Sequence, residues 1–235
     1  MEVNKKELLE AALKNDSKLD LEITDELLQI CTVLGNQPPL FRAIYKTFLN
    51  RELVYENKPK FGARFSVKFD YEKQEAVLER AELRTIIPFA EFRRILGLID
   101  SVYSEILPIG SVVELDLEVL PEPLQKMFKD SKIGAWISIT GRKIPIREEY
   151  GNYVMGYVGY MWPFGQTTEN HIFYLSNLMI QRVISKGLTM ELEEEYAFEI
   201  LRKSQLANER ISVAFISVEE AKNLYDDLLP ESVSV

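Results

Sequence analysis

The segment "YVMGYVGYMWPFG", residues 153–165, limits what this chain can fold into more than any other stretch. No residue from Tyr150 to Thr168 is charged, in a chain that is 28% charged, and six of these nineteen residues are aromatic. A segment of this kind is typical of a strand buried within a domain, or of a surface that binds a partner. The fold must therefore bury this segment in the core, expose it as a binding surface for another molecule, or bury one part and expose the other.

An extended conformation sorts the segment into two rows of side chains, because successive residues of a strand point to opposite faces. One row contains Tyr153, Met155, Tyr157 and Met161, and the other contains Val154, Val158, Tyr160, Trp162 and Phe164. Both rows are apolar, which favours a central strand covered on both faces. Gly156 and Gly159 would then relieve crowding or mark a bulge.

A second interpretation is that the aromatic end of the segment binds a partner. Tyr, Trp and Met are enriched at interfaces, and Tyr and Trp often provide most of the binding energy. The two interpretations are compatible if the middle of the strand is buried while Trp162 and Phe164 emerge at its end. The predicted partner-binding residues are Tyr157, Tyr160, Met161, Trp162 and Phe164.

The charge balance narrows the class of partner. The chain has 28 Lys and Arg residues against 37 Asp and Glu residues, so its net charge is −9. Binding to nucleic acid or to an anionic membrane surface depends on concentrated positive charge, so we expect neither. The sign of the charge instead favours a protein partner with a basic surface. The sequence leaves the oligomeric state open.

The residues that usually perform catalysis are scarce. Cys31 is the only cysteine and lies among apolar residues of a predicted helix, which indicates a buried, inert thiol. His171 is the only histidine and lies at the start of a predicted apolar strand. The Glu193–Glu195 run is typical of the solvent-exposed side of a helix. We therefore expect a non-enzymatic protein with no catalytic residues, no cofactor and no metal site.

The location predicted from the sequence is the cytoplasm. The opening residues "MEVNKKELLEAALKND" are charged throughout and lack the apolar centre of a signal peptide. No run of eighteen apolar residues occurs that could span a membrane.

The first 104 residues are predicted to be mainly helical around one β-hairpin. Helices are predicted over "KKELLEAALK", over "TDELLQICTVLG" with Thr24 as the N-cap, and over "LFRAIYKTFLN". The first arm of the hairpin contains Phe65, Val67 and Phe69, and the second runs from about Gln74 to Thr85, where a helix is the alternative. A long amphipathic helix follows Pro88.

Residues 105–235 are predicted to contain more strands. Alternation predicts a strand over "SVVELDLEVL", and further strands over "GAWISITGRKIPI", Tyr153–Trp162 and "HIFYLS". A short helix is expected at "LQKMFKD", another after "HIFYLS", and a long acidic helix over "MELEEEYAFEILRKSQLANER". A strand and a helix are expected to close the chain. The predicted fold class is α+β, an antiparallel sheet flanked by helices, with residues 1–104 and 105–235 forming two domains or packing as one.

Four motifs resemble a small uncharacterised domain family of Gram-positive bacteria. They are "LPIGSVV", "GAWISITGRKI", "YVMGYVGYMWPFG" and "HIFYLSNLMIQRVISKGL", which together cover about residues 105–200. The insertion "PEPLQKMFKD" is longer than the usual turn of that family. In addition, "TDELLQICTVLGNQP" resembles the opening of mycobacterial secretion chaperones.

The members of that family are encoded beside LXG-type toxins of type VII secretion systems. The resemblance therefore implies a cytoplasmic chaperone or targeting adaptor that binds an LXG toxin, or the secretion complex of that toxin, before export. An immunity protein that neutralises the toxin is the alternative, because acidic proteins often block basic active sites. An enzyme would depend on His171, so activity lost in His171→Ala would identify one.

Overall fold

The computed structural model describes residues 4–59, 62–146, 149, 151–167, 172–217 and 220–221. The chain divides into two compact units, Met1–Ser104 and Glu105–Val235. The fold is α+β with mainly antiparallel sheets, as predicted.

The first unit contains four helices: α1 (Lys5–Asn15), α2 (Asp25–Asn36), α3 (Pro38–Leu49) and α4 (Phe89–Tyr103). The predicted cap of α2 is confirmed, because the Thr24 hydroxyl accepts a hydrogen bond of 3.2 Å from the Leu27 N–H. Pro38 lies in the first turn of α3, where its missing N–H costs nothing. Helices α2 and α3 therefore begin where the sequence supplies a suitable first residue.

Four antiparallel strands complete this unit in sequence order: β1 (Val54–Asn57), β2 (Phe65–Asp70), β3 (Glu75–Arg80) and β4 (Leu83–Pro88). The predicted hairpin was therefore incomplete, because the second arm is itself a hairpin. Arg80 pairs with Leu83, and Ala81 takes a left-handed φ of 51° to close the turn between them. An alanine at this position gave no turn signal in the sequence.

Phe48 of α3 lies at the centre of this unit's aromatic core. Its ring centroid is 5.2 Å from that of Phe69, 5.0 Å from that of Phe89 and 5.3 Å from that of Phe92. These contacts join α3 to the sheet and to α4; the rings of Phe89 and Phe92 meet Phe48 edge-on, a geometry that aromatic pairs prefer, and the Phe69 ring is tilted against it.

A buried ion pair joins the end of α1 to α4. Arg94 Nη2 lies 2.5 Å from Asp16 Oδ2, and Arg94 Nε lies 3.0 Å from both carboxylate oxygens. The Arg94 side chain is 7% exposed and the Asp16 side chain 1%. Each charge is therefore compensated almost entirely by the other rather than by water.

The second unit is built on a six-stranded sheet: β5 (Val112–Leu115), β6 (Trp136–Pro145), β7 (Tyr153–Met161), β8 (Phe173–Leu175), β9 (Ile180–Ser185) and β10 (Ile211–Ser212). The strand order is β10-β7-β6-β5-β9, and β8 also pairs with β7. All of these pairs are antiparallel except β10 with β7. The short helix α5 (Glu122–Lys129) buries Phe128 in the core beneath the sheet.

Two predicted elements of this unit differ from the structure. The strand predicted over "SVVELDLEVL" ends at Leu115, because the Asp116 carboxylate accepts from the Glu118 N–H at 3.2 Å and begins a 3₁₀ turn, Leu117–Val119. The short helix predicted after "HIFYLS" is a 3₁₀ turn, Asn177–Met179, followed by β9, which pairs with β5. Short apolar runs of this kind do not distinguish helix from strand.

The predicted acidic helix consists of α6 (Glu191–Glu195), a π-helical segment (Tyr196–Arg202) and α7 (Lys203–Ala207), which follow one another without a break. No helix within the described ranges is both long enough and apolar enough to cross a membrane.

We predict that Arg94→Met lowers the free energy of unfolding by about 3–5 kcal/mol, because it removes the positive charge that compensates the buried Asp16 carboxylate and leaves it the hydrogen bond from the Lys18 N–H. The change should appear in urea unfolding followed by far-UV circular dichroism. The matched control is Lys14→Met, which removes an exposed ion pair with Glu10 and should leave stability nearly unchanged. A double variant, Asp16→Asn with Arg94→Met, should be more stable than Arg94→Met alone; an equal or greater loss would contradict the role given to the charge.

Candidate partner-binding face

The two rows of side chains on β7 meet different surroundings. Ile137 of β6 pairs with Met161, and Ser138 pairs with Tyr160, so these two pairs lie on opposite faces of the sheet. Ile137 and Tyr157 belong to the buried core, and Met161 packs against it. Tyr160 therefore points away from the core. The predicted division into two rows is correct: the row of Tyr157 faces the core, and in the other row Val154 and Val158 are also buried, so that row opens to solvent only from Tyr160 onward.

Tyr157 lies in the core with 0% exposure. Its hydroxyl accepts from the Leu107 N–H at 3.2 Å and lies 3.0 Å from the Glu105 carbonyl oxygen and 2.9 Å from Asn177 Oδ1. This tyrosine was among the predicted partner-binding residues. The structure places it in a structural role instead, because a fully enclosed side chain presents no area to another molecule.

The outward face of the sheet carries aromatic side chains from three strands. Trp136 lies opposite Trp162: the backbone N–H of Trp162 donates to the Trp136 carbonyl oxygen at 2.9 Å. The centroids of the two rings are 5.4 Å apart. Tyr174 of β8 pairs with Val158, two residues before Tyr160, and so lies on the same face. We call the following set the aromatic face: Trp136, Tyr160, Trp162, Phe164 and Tyr174.

The aromatic face is open to solvent at its outer members. Trp162 is 38% exposed, Phe164 54% and Tyr174 56%, while Trp136 and Tyr160 are half-buried. Contiguous exposed apolar area of this kind is a usual sign of a binding surface. The sequence predicted Tyr160, Trp162 and Phe164 as contact residues, and all three lie on this face or at its edge.

The turn after β7 positions the end of the aromatic face. The Gly165 N–H donates to the Met161 carbonyl oxygen at 3.1 Å, and Gly165 has a φ of +66°, which few other residues adopt. The Trp162–Pro163 peptide bond within this turn is cis. Trp162 and Phe164 thus stand at the point where the chain leaves the sheet.

Gly159 is required by the close approach of β6 to β7. A Cβ at this position would lie 2.3 Å from the Ser138 carbonyl oxygen, closer than any side chain allows. The pairing also shifts between Ile139 and Gly141, so Thr140 is an extra residue in β6. The predicted crowding and bulge are therefore both present next to Tyr160.

Charged residues border the aromatic face. Glu114 of β5 pairs with Trp136 in the sheet register, and its carboxylate forms an ion pair with the Arg182 guanidinium of β9. Apolar rings at the centre with ion pairs at the margin are the usual arrangement of a protein interface.

The sequence analysis missed Trp136 and Tyr174. Trp136 alternates with the buried residues Ile137 and Ile139, and Tyr174 lies between Phe173 and Leu175, both buried. The alternation was a usable signal that both aromatic side chains face outward. Their position beside Tyr160 and Trp162, however, depends on strand pairing that no local pattern contains.

The other chemistry considered in the sequence lies elsewhere. Burial raises the pKa of the Cys31 thiol to about 12, which agrees with the inert thiol predicted for α2. Glu193 forms an ion pair with Arg142. His171 lies outside the described residues. Within the described ranges, no group of three or more His, Cys, Asp or Glu side chains is arranged to hold a metal ion.

One part of the chain matches a known protein family. Residues 126–196 match the family model of DUF4176, a domain of unknown function. This range lies within the 105–200 segment that carried the family resemblance and contains every residue of the aromatic face. The description of DUF4176 names no activity and no partner. No curated protein and no solved structure matches the chain.

We predict that Tyr157→Phe lowers the free energy of unfolding of the second unit by about 1–3 kcal/mol, because the buried Leu107 N–H loses its acceptor. Both tryptophans of the chain lie in this unit, so their fluorescence during urea unfolding reports on it. Tyr160→Phe is the matched control and should change stability little. If the two variants unfold alike, the Tyr157 hydroxyl has no special structural role.

A second prediction concerns Cys31. Because its pKa is about 12, the thiol stays protonated at pH 8 and the native protein should not react with a thiol-specific reagent. In guanidinium chloride the same reagent should modify one thiol per chain, since an exposed cysteine has a pKa of about 8.5. Rapid modification of the native protein at pH 8 would contradict the buried location.

Proposed function

We propose that this protein is a non-enzymatic chaperone or targeting adaptor, located in the cytoplasm, that binds an LXG-type toxin for type VII secretion. The observation that supports binding is the aromatic face: Trp136, Tyr160, Trp162 and Tyr174 lie on one side of the sheet, and the exposed Phe164 lies in the turn that follows. The family resemblance of residues 105–200 supports the class of partner. The two arguments are independent, since the first concerns the mode of action and the second the identity of the partner.

The aromatic face is built to bind at low entropic cost. Trp136 and Trp162 are in ring contact, and Tyr160 is on a strand whose register is fixed by Gly159. Side chains that are already ordered lose little freedom on binding, so more of the contact energy appears as affinity. Aromatic side chains each bury roughly 150–250 Å², and a few of them can provide most of the binding energy.

The acidic character of the chain supports a basic partner. A net charge of −9 attracts positively charged surfaces over distances longer than a contact, which increases the rate of association. Salt screens this attraction within about 8 Å at physiological ionic strength. The apolar rings would then determine how long the complex lasts, and the charge how quickly it forms.

An immunity protein is the second candidate, and the same net charge favours it, because an acidic protein can cover a basic active site. Expression of the toxin's C-terminal domain with and without this protein separates the two functions. Protection from the toxin would indicate immunity, whereas export that depends on this protein without protection would indicate a chaperone.

We predict that the triple variant Trp162→Ala, Phe164→Ala, Tyr174→Ala binds the LXG toxin proposed as partner at least about 30-fold more weakly, as expected for hot-spot residues. Affinity would be measured by biolayer interferometry with purified proteins. The expected loss arises because the three most exposed members of the aromatic face no longer cover the partner's apolar surface.

The control is a variant with three exposed apolar residues of the first unit replaced: Leu49→Ala, Leu53→Ala and Ile86→Ala, which are 51%, 67% and 48% exposed. This control should bind as the wild type does. Circular dichroism must show that both variants are folded. A folded aromatic-face variant with wild-type affinity would exclude this face as the binding site.

A further inference from the structure

A second apolar surface lies on the helix that follows β9. Leu192 is 68% exposed, Tyr196 45% and Ile200 54%. These residues are four apart, so they share one side of the helix. We call these three residues the apolar stripe. Leu188 and Met190, just before the helix, are also exposed and apolar. The many glutamates of this helix predicted an acidic, solvent-exposed element, so its apolar side was not predicted.

The helix geometry keeps the apolar stripe straight. An α-helix has 3.6 residues per turn, so residues four apart gradually drift around its axis. Residues Tyr196–Arg202 are π-helical, with hydrogen bonds between residues five apart and therefore more residues in each turn. Residues four apart consequently stay more nearly in line. Single turns of this kind are frequent at functional sites.

Arg142 of β6 holds the helix through Glu193 and also lies against the ring of Tyr196. Its Nη1 lies 2.5 Å from Glu193 Oε1 and its Nη2 lies 2.6 Å from Glu193 Oε2. The same guanidinium lies 5.7 Å from the centre of the Tyr196 ring. The Arg142 side chain is buried, so this bidentate ion pair with Glu193 is largely shielded from water. The helix is thus held by Glu193 while the apolar stripe remains available.

Carboxylates surround the apolar stripe. The side chains of Glu191, Glu194 and Glu195 are exposed along the same helix, and so is that of Glu199, which forms an ion pair with Lys203. A partner that covers the apolar residues must also approach these charges. Basic residues beside an apolar row would complement them, whereas acidic residues would be repelled.

We propose that the apolar stripe is a docking site for a basic amphipathic helix of a partner protein. Such a helix would lay its apolar row against Leu192, Tyr196 and Ile200 and place Lys or Arg opposite the surrounding carboxylates. A second copy of this chain would bring an identical acidic margin and is therefore disfavoured. Residues 222–235, with Asp226, Asp227 and Glu231 against Lys222, have the same disadvantage. This site is separate from the aromatic face and does not depend on the proposed function.

The test uses a panel of fluorescein-labelled helical peptides and the full-length protein, followed by fluorescence anisotropy. The peptides carry a Leu row at spacings of three and four residues, flanked by Lys; matched peptides have the same Leu row flanked by Glu. We expect at least one Lys peptide to bind, its Glu counterpart to bind about ten-fold more weakly or worse, and binding to fall with salt.

Three variants locate the site. Leu192→Ala, Tyr196→Ala, Ile200→Ala should weaken peptide binding about 30-fold or more, and Glu191→Gln, Glu194→Gln, Glu195→Gln should weaken it and reduce its salt dependence. Trp162→Ala, Phe164→Ala, Tyr174→Ala should bind the peptide normally. A loss confined to this last variant would transfer peptide binding to the aromatic face and overturn the proposal, while toxin binding is measured separately.

Two further outcomes would also overturn the proposal. One is that no Lys peptide binds better than its Glu counterpart. The other is that sedimentation shows a wild-type dimer that the Leu192, Tyr196 and Ile200 substitutions convert to a monomer. In that case a second copy of the chain occupies the apolar stripe.

Discussion

The register between β6 and β7 is the constraint on which the second unit depends. Because side chains alternate along a strand, a shift of one residue would turn every side chain of β7 to the other face. The Tyr157 hydroxyl would then lose its hydrogen bond from the Leu107 N–H, and the outward aromatic row would enter the core. Gly159 favours the observed register, since its missing side chain leaves room for the Ser138 carbonyl oxygen. The position of a single glycine thus helps to determine which aromatic residues a partner can reach.

The sequence could predict the two rows of side chains on β7 but not which row faces the core. Alternation is local, so Tyr157 with Met161 and Tyr160 with Trp162 could be separated from the sequence alone. The cover is not local: it is formed by residues such as Leu120, Phe128 and Phe173, which lie far away in the chain. For the same reason, Tyr157 was expected at a surface and is in the core. Trp136 and Tyr174 join the face only through strand pairing.

The other differences between prediction and structure have local causes. The turn at Ala81 has no glycine or asparagine, so one predicted arm concealed two strands. In β9, the run from Ile180 to Ser185 has a composition that suits either helix or strand, and pairing with β5 makes it a strand. In the acidic helix, the many glutamates concealed an apolar row at every fourth residue. Charge along a helix does not establish that all of its sides are solvated.

A continuous set of polar contacts links the core of the sheet to the helix that carries the apolar stripe. Leu107 uses both of its backbone groups here: its N–H donates to the Tyr157 hydroxyl at 3.2 Å, and its carbonyl oxygen accepts from Arg142 Nη1 at 3.2 Å. Arg142 is directly opposite Tyr157 in the register and so leaves β6 on the core side, away from Tyr160.

This arrangement explains how one small sheet presents two different apolar surfaces. The core side of β6 and β7 uses Tyr157 and Arg142 to hold the segment at Leu107 and, through Glu193, the helix. The outward side carries the aromatic rings of Trp136, Tyr160 and Tyr174. Because buried polar groups are costly unless all are satisfied, the core side permits little rearrangement. In the register of β6 against β7, Arg142 lies opposite Tyr157. This one pairing holds the strands that carry the aromatic face and, through Arg142, the helix that carries the apolar stripe.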